Sequence, residues 1–272
     1  MHKTTSYRDG TIDVIEKIKT LAWFAQRPSY WRHAAALIQR KFEPDHDAPA
    51  PRAAATRWAA ERVVSVAEAL AVVGLLDEGM AIPVLSNDVL EQGNLRARQS
   101  TIEMGGAGYL TLLHAATVLS QAQKVIETGV AYGWSSLAIL SGMNECKNPR
   151  LVSVDMPYPK MDNDPFVGVV VPDNLRQYWS LIREPDRQGV EKAILQMNGS
   201  VDLIHYDSDK SYQGRKYAYP LLWAALRAGG IFISDDIEDN LAFSEFVAQH
   251  GTPFAVTQYE SQYIGITRKP VD

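Results

Sequence analysis

The chain has 272 residues, 46% hydrophobic and 22% charged, with a net charge of −5 and a single cysteine, Cys146. This balance predicts a globular protein able to bury a core. It gives no basic excess, so nucleic acid is not an expected partner, and it excludes an internal disulfide framework or a cysteine-based zinc cluster. There is no apolar signal core and no apolar run of membrane-spanning length, so no membrane partner and a cytoplasmic location are expected.

Residues 1–100 read as a helical extension, serving as a cap or an oligomerisation element, ahead of a larger unit over 101–272. Ile12, Ile15, Ile18 and Leu21 have helical spacing, and Tyr30 to Phe42 is a second helix closed by Pro44. Ala48–Pro49–Ala50–Pro51 reads as a linker. Thr56 to Leu76 reads as one helix with Trp58, Val63, Val66, Leu70 and Val73 along one stripe. A further helix is expected to start from the glycines at 105, 106 and 108 and run to Leu119, with His114 as a core histidine.

From Lys124 the pattern becomes regular. Strands are expected at Val125–Thr128, Leu151–Val154, Ser180–Arg183, Asp202–Tyr206 and Ile231–Ser234. Helices are expected at Trp134–Leu140, Pro172–Trp179, Arg187–Leu195, Gly214–Leu226 and Asn240–His250. Two final strands, Phe254–Gln258 and Gln262–Thr267, flank a short turn and form an antiparallel hairpin. Alternation of this kind implies an α/β fold, a Rossmann-like and mostly parallel sheet of seven strands with right-handed crossovers. Ligands bind beyond the carboxyl ends of such strands. The acids Glu127, Asp155, Asp207, Asp235 and Asp236 fall at those ends.

The stretch Lys124 to Ser136, KVIETGVAYGWSS, is a strand, a glycine turn and a helix start. Gly129 and Gly133 allow positive φ or a close ligand, and Ser135 and Ser136 can cap the helix. The spacing E-x-G-x-x-x-G is not the dinucleotide fingerprint G-x-G-x-x-G. Asp155, about one βα unit later, can accept both hydroxyls of a ribose. In Asp202 to Ile237, DLIHYDSDKSYQGRKYAYPLLWAALRAGGIFISDDI, Asp207 ends one strand and Asp235–Asp236 the next. Adjacent strands lie roughly 5 Å apart, so these carboxylates can converge on a hard cation such as Mg²⁺, with Mn²⁺ or Ca²⁺ as alternatives, or act as helix caps. Lys210 follows Asp207 by three; beside a cation and under a lid its pKa would fall, and it would accept a proton.

Residues from about 105 to 267 resemble the class I S-adenosylmethionine-dependent methyltransferases. Within them the chain is similar to the metal-dependent O-methyltransferases, including the catechol-type enzymes and the antibiotic-sugar and cephalosporin-cluster branch. The resemblance rests on motif I at Glu127–Gly133 and on Asp207, Lys210, Asp235 and Asp236. A lysine at 210 matches the catechol-type pattern, whereas the Asp235–Asp236 pair departs from its usual Asp–Asn. The resemblance implies S-adenosylmethionine contacts from Glu127, Gly129, Ala131, Tyr132, Ser135, Asp155 and Asp207, with Glu127 near the amino-acid end of the cofactor. It implies Mg²⁺ on Asp207, Asp235 and Asp236, and catalytic roles for Lys210 and Asp207 toward a small hydroxylated acceptor. A homo-oligomer is the expected assembly. The long loop Met156–Val171 offers Tyr158, Lys160 and Phe166 as acceptor contacts. A metal-independent methyltransferase, an NAD-dependent oxidoreductase and a non-catalytic cofactor-binding protein are the rival readings.

Overall fold

Successive residues of a strand face opposite sides of the sheet, so a strand covered on both faces needs an unbroken apolar run. Val125–Ile126, Leu151–Val152, Leu203–Ile204 and Ile231–Phe232 are such runs, and all eight residues are fully buried. They form the centre of a seven-stranded sheet in the computed structural model, which describes residue 20, residues 22–157 and residues 162–271. The strands are β1 (Lys124–Thr128), β2 (Arg150–Val154), β3 (Trp179–Ile182), β4 (Val201–Tyr206), β5 (Leu226–Ser234), β6 (Phe254–Tyr259) and β7 (Gln262–Arg268). Their order across the sheet is β3-β2-β1-β4-β5-β7-β6. The first five are parallel, and β7 runs antiparallel to both β5 and β6.

The helices are α1 (Trp31–Gln39), α2 (Pro49–Ala60), α3 (Val66–Val72), α4 (Asn87–Ala97), α5 (Leu110–Leu119), α6 (Trp134–Gly142), α7 (Asp173–Arg176), α8 (Asp186–Gln196), α9 (Tyr212–Ala225) and α10 (Ala242–His250). Val125, Leu151, Leu203 and Ile231 pack on α3, α5 and α6. Ile126, Val152, Ile204 and Phe232 face the other way, onto α8, α9 and α10. These four parallel strands are thereby covered on both faces, and their carboxyl ends are left for a site.

Several expected boundaries shift for local reasons. The helix expected over Thr56–Leu76 is two helices, because Val63 leaves the helical path to bridge Val256 of β6. Ser65 then restarts the helix with a capping box: its hydroxyl accepts from the Glu68 N–H (3.2 Å) and the Glu68 carboxylate from the Ser65 N–H (2.9 Å). The stretch read as a linker opens α2, with Pro49 at the first turn, where a missing N–H costs nothing. The helix expected from the glycines starts only at Leu110, and Gly108 sits at φ 61° before it. Only Asp173–Arg176 of the Pro172–Trp179 helix forms, and Trp179 begins β3. Helix α4 was not expected; Ser86 caps it, and a Cβ at its Gly93 would meet Trp134 at 2.5 Å. The stripe Ile12 to Leu21 and the loop residues Tyr158 and Lys160 lie outside the described residues.

Candidate functional site

Strand register assembles the site. Thr128 of β1 pairs with Val154 of β2 and Tyr206 of β4, Val154 pairs with Ile182 of β3, and Tyr206 pairs with Ser234 of β5. The residues that follow these, Arg183, Asp155, Gly129, Asp207 and Asp235, therefore stand in one row along the carboxyl edge of the sheet. Gly129 is the pivot. Its φ is 81°, and a Cβ there would meet the Asp207 carbonyl oxygen at 2.1 Å, so only glycine lets β1 turn this close to β4.

Asp155 is buried and faces the turn. Its Oδ1 accepts from the Val130 N–H at 2.9 Å and its Oδ2 pairs with the Arg183 guanidinium. Burial raises its pKa, opposed by Arg183 and the backbone donors. Ala131 has φ 48°, part of the same tight turn. The Tyr132 hydroxyl donates to the Ile102 carbonyl (2.7 Å) and accepts from the Met104 N–H (3.2 Å), tying the segment before α5 to the turn. Ser135 is half-buried in the first turn of α6. The expected serine cap is absent: Gly133, at φ 89°, is the N-cap, and the Ser136 hydroxyl points to Glu127 instead.

Glu127 has no exposed surface. Its Oε2 accepts from Ser136 (2.5 Å) and Ser153 (2.6 Å), while Oε1 lies 3.6 Å from His205 Nδ1. Glu127 lies beneath the turn and is not among the residues that line the cavity described below. His205 was missed in the sequence. It is a polar residue in the buried part of β4, level with Glu127 in the register, and its Nε2 lies 3.4 Å from Asp235 Oδ1. Burial alone disfavours the imidazolium, but Asp235 and Glu127 outweigh burial and push the His205 pKa up to about 10.

The acids expected to hold a metal are each engaged otherwise. Lys210 Nζ lies 3.3 Å from Asp207 Oδ1 and also pairs with Asp236 Oδ2. The Gln262 amide donates to Asp236 Oδ1 at 2.7 Å, and Asp235 faces His205. Among the described residues no group of three His, Cys, Asp or Glu side chains is disposed to hold a metal ion. The donor set thus does not fit Mg²⁺, because an ammonium stands between two of the three carboxylates. Burial lowers the Lys210 pKa, and Asp207 and Asp236 more than offset it, so with these partners the net shift is upward. Burial and then Asp235 raise the Asp207 pKa, with Lys210 and His205 opposing.

Arg215, fully buried, fixes this corner. It donates to the Asp235 carbonyl (3.0 Å), the Asp236 carbonyl (2.7 Å) and Asn240 Oδ1 (3.3 Å), and it holds Asp236 at φ 51°. No sequence signal singles it out, since an arginine in an amphipathic helix usually faces water.

Gly129, Asp155 and Asp207 line one cavity of about 210 Å³, completed by Asp186 and by α1 residues. Burial pushes the Asp186 carboxyl up to about 6, against a hydrogen bond from Ser208. Larger hollows of about 490 and 830 Å³ lie behind α6 and contain none of the acids in the row.

Residues 126–237 match the family model described as a methyltransferase domain. The match spans the sheet from β1 to the end of β5, and the strand order is that of a Rossmann-like α/β fold. Among solved structures, the chain is similar to the O-methyltransferase TomG from Streptomyces achromogenes, involved in tomaymycin synthesis and in complex with SAM. That alignment has 13% identity and a TM-score of 0.53, and covers 68% of this chain and 92% of TomG. It is also similar to the O-methyltransferase from Bacillus cereus in complex with SAH, at 16% identity and TM-score 0.52, covering 75% of this chain and 100% of that one. A methyltransferase from Geobacter sulfurreducens aligns at 16% identity and TM-score 0.52, over 76% of this chain and 98% of its own. At these identities the likeness is one of fold. No curated protein sequence matches the chain.

Proposed function

We propose that the chain is an S-adenosylmethionine-dependent O-methyltransferase acting on a hydroxyl of a small molecule, without a divalent ion on Asp207, Asp235 and Asp236. The observation that carries this reading is the juxtaposition of Asp155 and the Asp207–Lys210 pair on either side of Gly129, in and beside one cavity. The O-methyltransferases of similar fold, one in complex with SAM and one with SAH, support it.

In this reading Asp155 accepts the ribose hydroxyls, with Val130 N–H and Arg183 keeping its carboxylate oriented. Gly129 lets the main chain approach the cofactor, and S-adenosylmethionine supplies the electrophilic sulfonium methyl. Asp207, its pKa raised by burial and by Asp235, takes the acceptor's hydroxyl proton. Lys210, held as an ammonium by two carboxylates, stabilises the oxyanion that forms. Bound S-adenosylmethionine would supply the methyl and its sulfur would carry away the bonding pair, while Asp207 and Lys210 prepare the acceptor oxygen. Positioning supplies much of the rate.

The test is methyl transfer from radiolabelled S-adenosylmethionine to a panel of phenols, polyols and sugars, with and without Mg²⁺ and a chelator. Turnover insensitive to both is expected. Lys210→Met should lower kcat by about 10²-fold or more, with cofactor affinity within about twofold of the unaltered chain. Cofactor binding without transfer to any hydroxyl would contradict the reading, and rescue by Mg²⁺ after chelation would return the acids to metal binding.

A further inference from the structure

The outer wall of the cavity is not part of the sheet edge or of the methyltransferase match. His33 and Leu37, four residues apart on one face of α1, line it together with Gly129 and Asp155, and Arg40 closes the corner by Asp209. The segment is tied down on both sides of the pocket. Before α1, the Tyr30 hydroxyl donates to the Arg183 carbonyl at 2.9 Å, and Arg183 is the partner of Asp155. After α1, the Arg40 guanidinium pairs with Asp209 in the loop that follows β4. Asp209 is itself set by Ser211, whose hydroxyl donates to it at 2.7 Å, and a Cβ at Gly214 would strike its carboxyl group at 2.3 Å.

Two observations bear on how this wall could admit a ligand. The cavity of about 210 Å³ is smaller than the ~300 Å³ at which small-molecule sites begin, so displacing α1 would enlarge it toward the size of a nucleoside site. Helix α1 is also lightly held: His33 and Ala36 are its buried residues, while Trp31 and Ile38 on it and Phe42 beyond it are exposed. Few buried contacts and a polar latch describe an element of low local stability. The wall also has chemistry suited to an adenine. Burial lowers the His33 pKa, so its ring is a neutral donor and acceptor, and Leu37 supplies an apolar surface.

We propose that α1 is the movable wall of the cofactor pocket: His33 and Leu37 contact the adenosine end of the cofactor, and the Arg40–Asp209 pair latches the helix over it. The proposal rests on the S-adenosylmethionine reading. Access and release require α1 to swing off Asp209, and the bound cofactor is held by a helix outside the matched domain.

The test measures binding of S-adenosylhomocysteine to the full chain by calorimetry and its release by stopped flow. Leu37→Trp fills the cavity and should weaken binding at least about tenfold. Arg40→Ala breaks the latch and should speed release about tenfold, and Asp209→Asn should do the same. The double change should be no worse than either single one, because both remove one interaction. Arg32→Ala, on the exposed face against Glu191, should bind and release within about twofold of the unaltered chain. Melting curves without ligand establish that each variant is folded, and Leu37→Trp tests the wall even if a latch variant fails to fold. Unchanged affinity in Leu37→Trp together with unchanged release in Arg40→Ala overturns the proposal while leaving the cofactor reading intact. No binding to the unaltered chain overturns the cofactor reading and this inference with it.

Discussion

At the scale of single residues, the site is a set of charges placed by register and then paired by burial. His205 shows how strongly this constrains the sheet. It has no exposed surface and stands between Glu127 and Asp235, which outweigh burial and push its pKa up to about 10. An unfolded histidine titrates near 6.5. The pairing therefore contributes its full stability below about pH 6.5 and loses it as pH rises toward about 10. The thermal midpoint, measured from pH 6 to 10, should fall more steeply for the unaltered chain than for His205→Gln; equal slopes would contradict the pairing. Gly129 is the second decisive residue. Gly129→Ala combines a positive φ, costing ~1–2 kcal/mol, with overlap on the Asp207 carbonyl. It should lower the thermal midpoint and displace Asp207, weakening cofactor binding in the same titration. Binding at unaltered affinity would show that the turn tolerates a side chain.

At the scale of elements, local chemistry decided where sequence patterns broke. The apolar stripe from Trp58 to Val73 looks continuous because both α2 and α3 bury one face, yet the chain between them is pinned to β6 through Val63. Ser65 and Glu68 mark the restart, and the S-x-x-E spacing was present in the sequence to be read. Ser65→Ala removes that cap and should cost about 1 kcal/mol, lowering the thermal midpoint by ~2 °C; no shift would mean that tertiary packing alone holds α3. The parallel strands were legible because a strand covered on both faces must be an apolar run, and the acids at their ends followed at once. What was not legible was the pairing of those acids. Asp207, Asp235 and Asp236 announce a cation in a linear sequence, and only the folded geometry shows Lys210, His205 and Gln262 placed beside them. The role of Arg215 was hidden for a related reason: a buried guanidinium bonded to main-chain carbonyls leaves no trace in spacing or composition.

At the scale of the whole molecule, the sheet supplies a row of groups at one edge, and α1 lines the cavity beside it. Asp47 accepts from the Tyr212 N–H (2.9 Å) and from the Asn240 amide (2.7 Å), so the segment after α1 is tied to the same corner that Arg215 fixes. Site and cover are thus joined by polar contacts that ligand binding can tighten or release. The most direct test of the central claim is a calorimetric titration of S-adenosylmethionine into the full chain and into Asp155→Ala. Saturable binding near one equivalent, weakened at least about tenfold by Asp155→Ala, is the predicted result. Absence of binding to the unaltered chain, or equal affinity in Asp155→Ala, would contradict the placement of the cofactor at this end of the sheet.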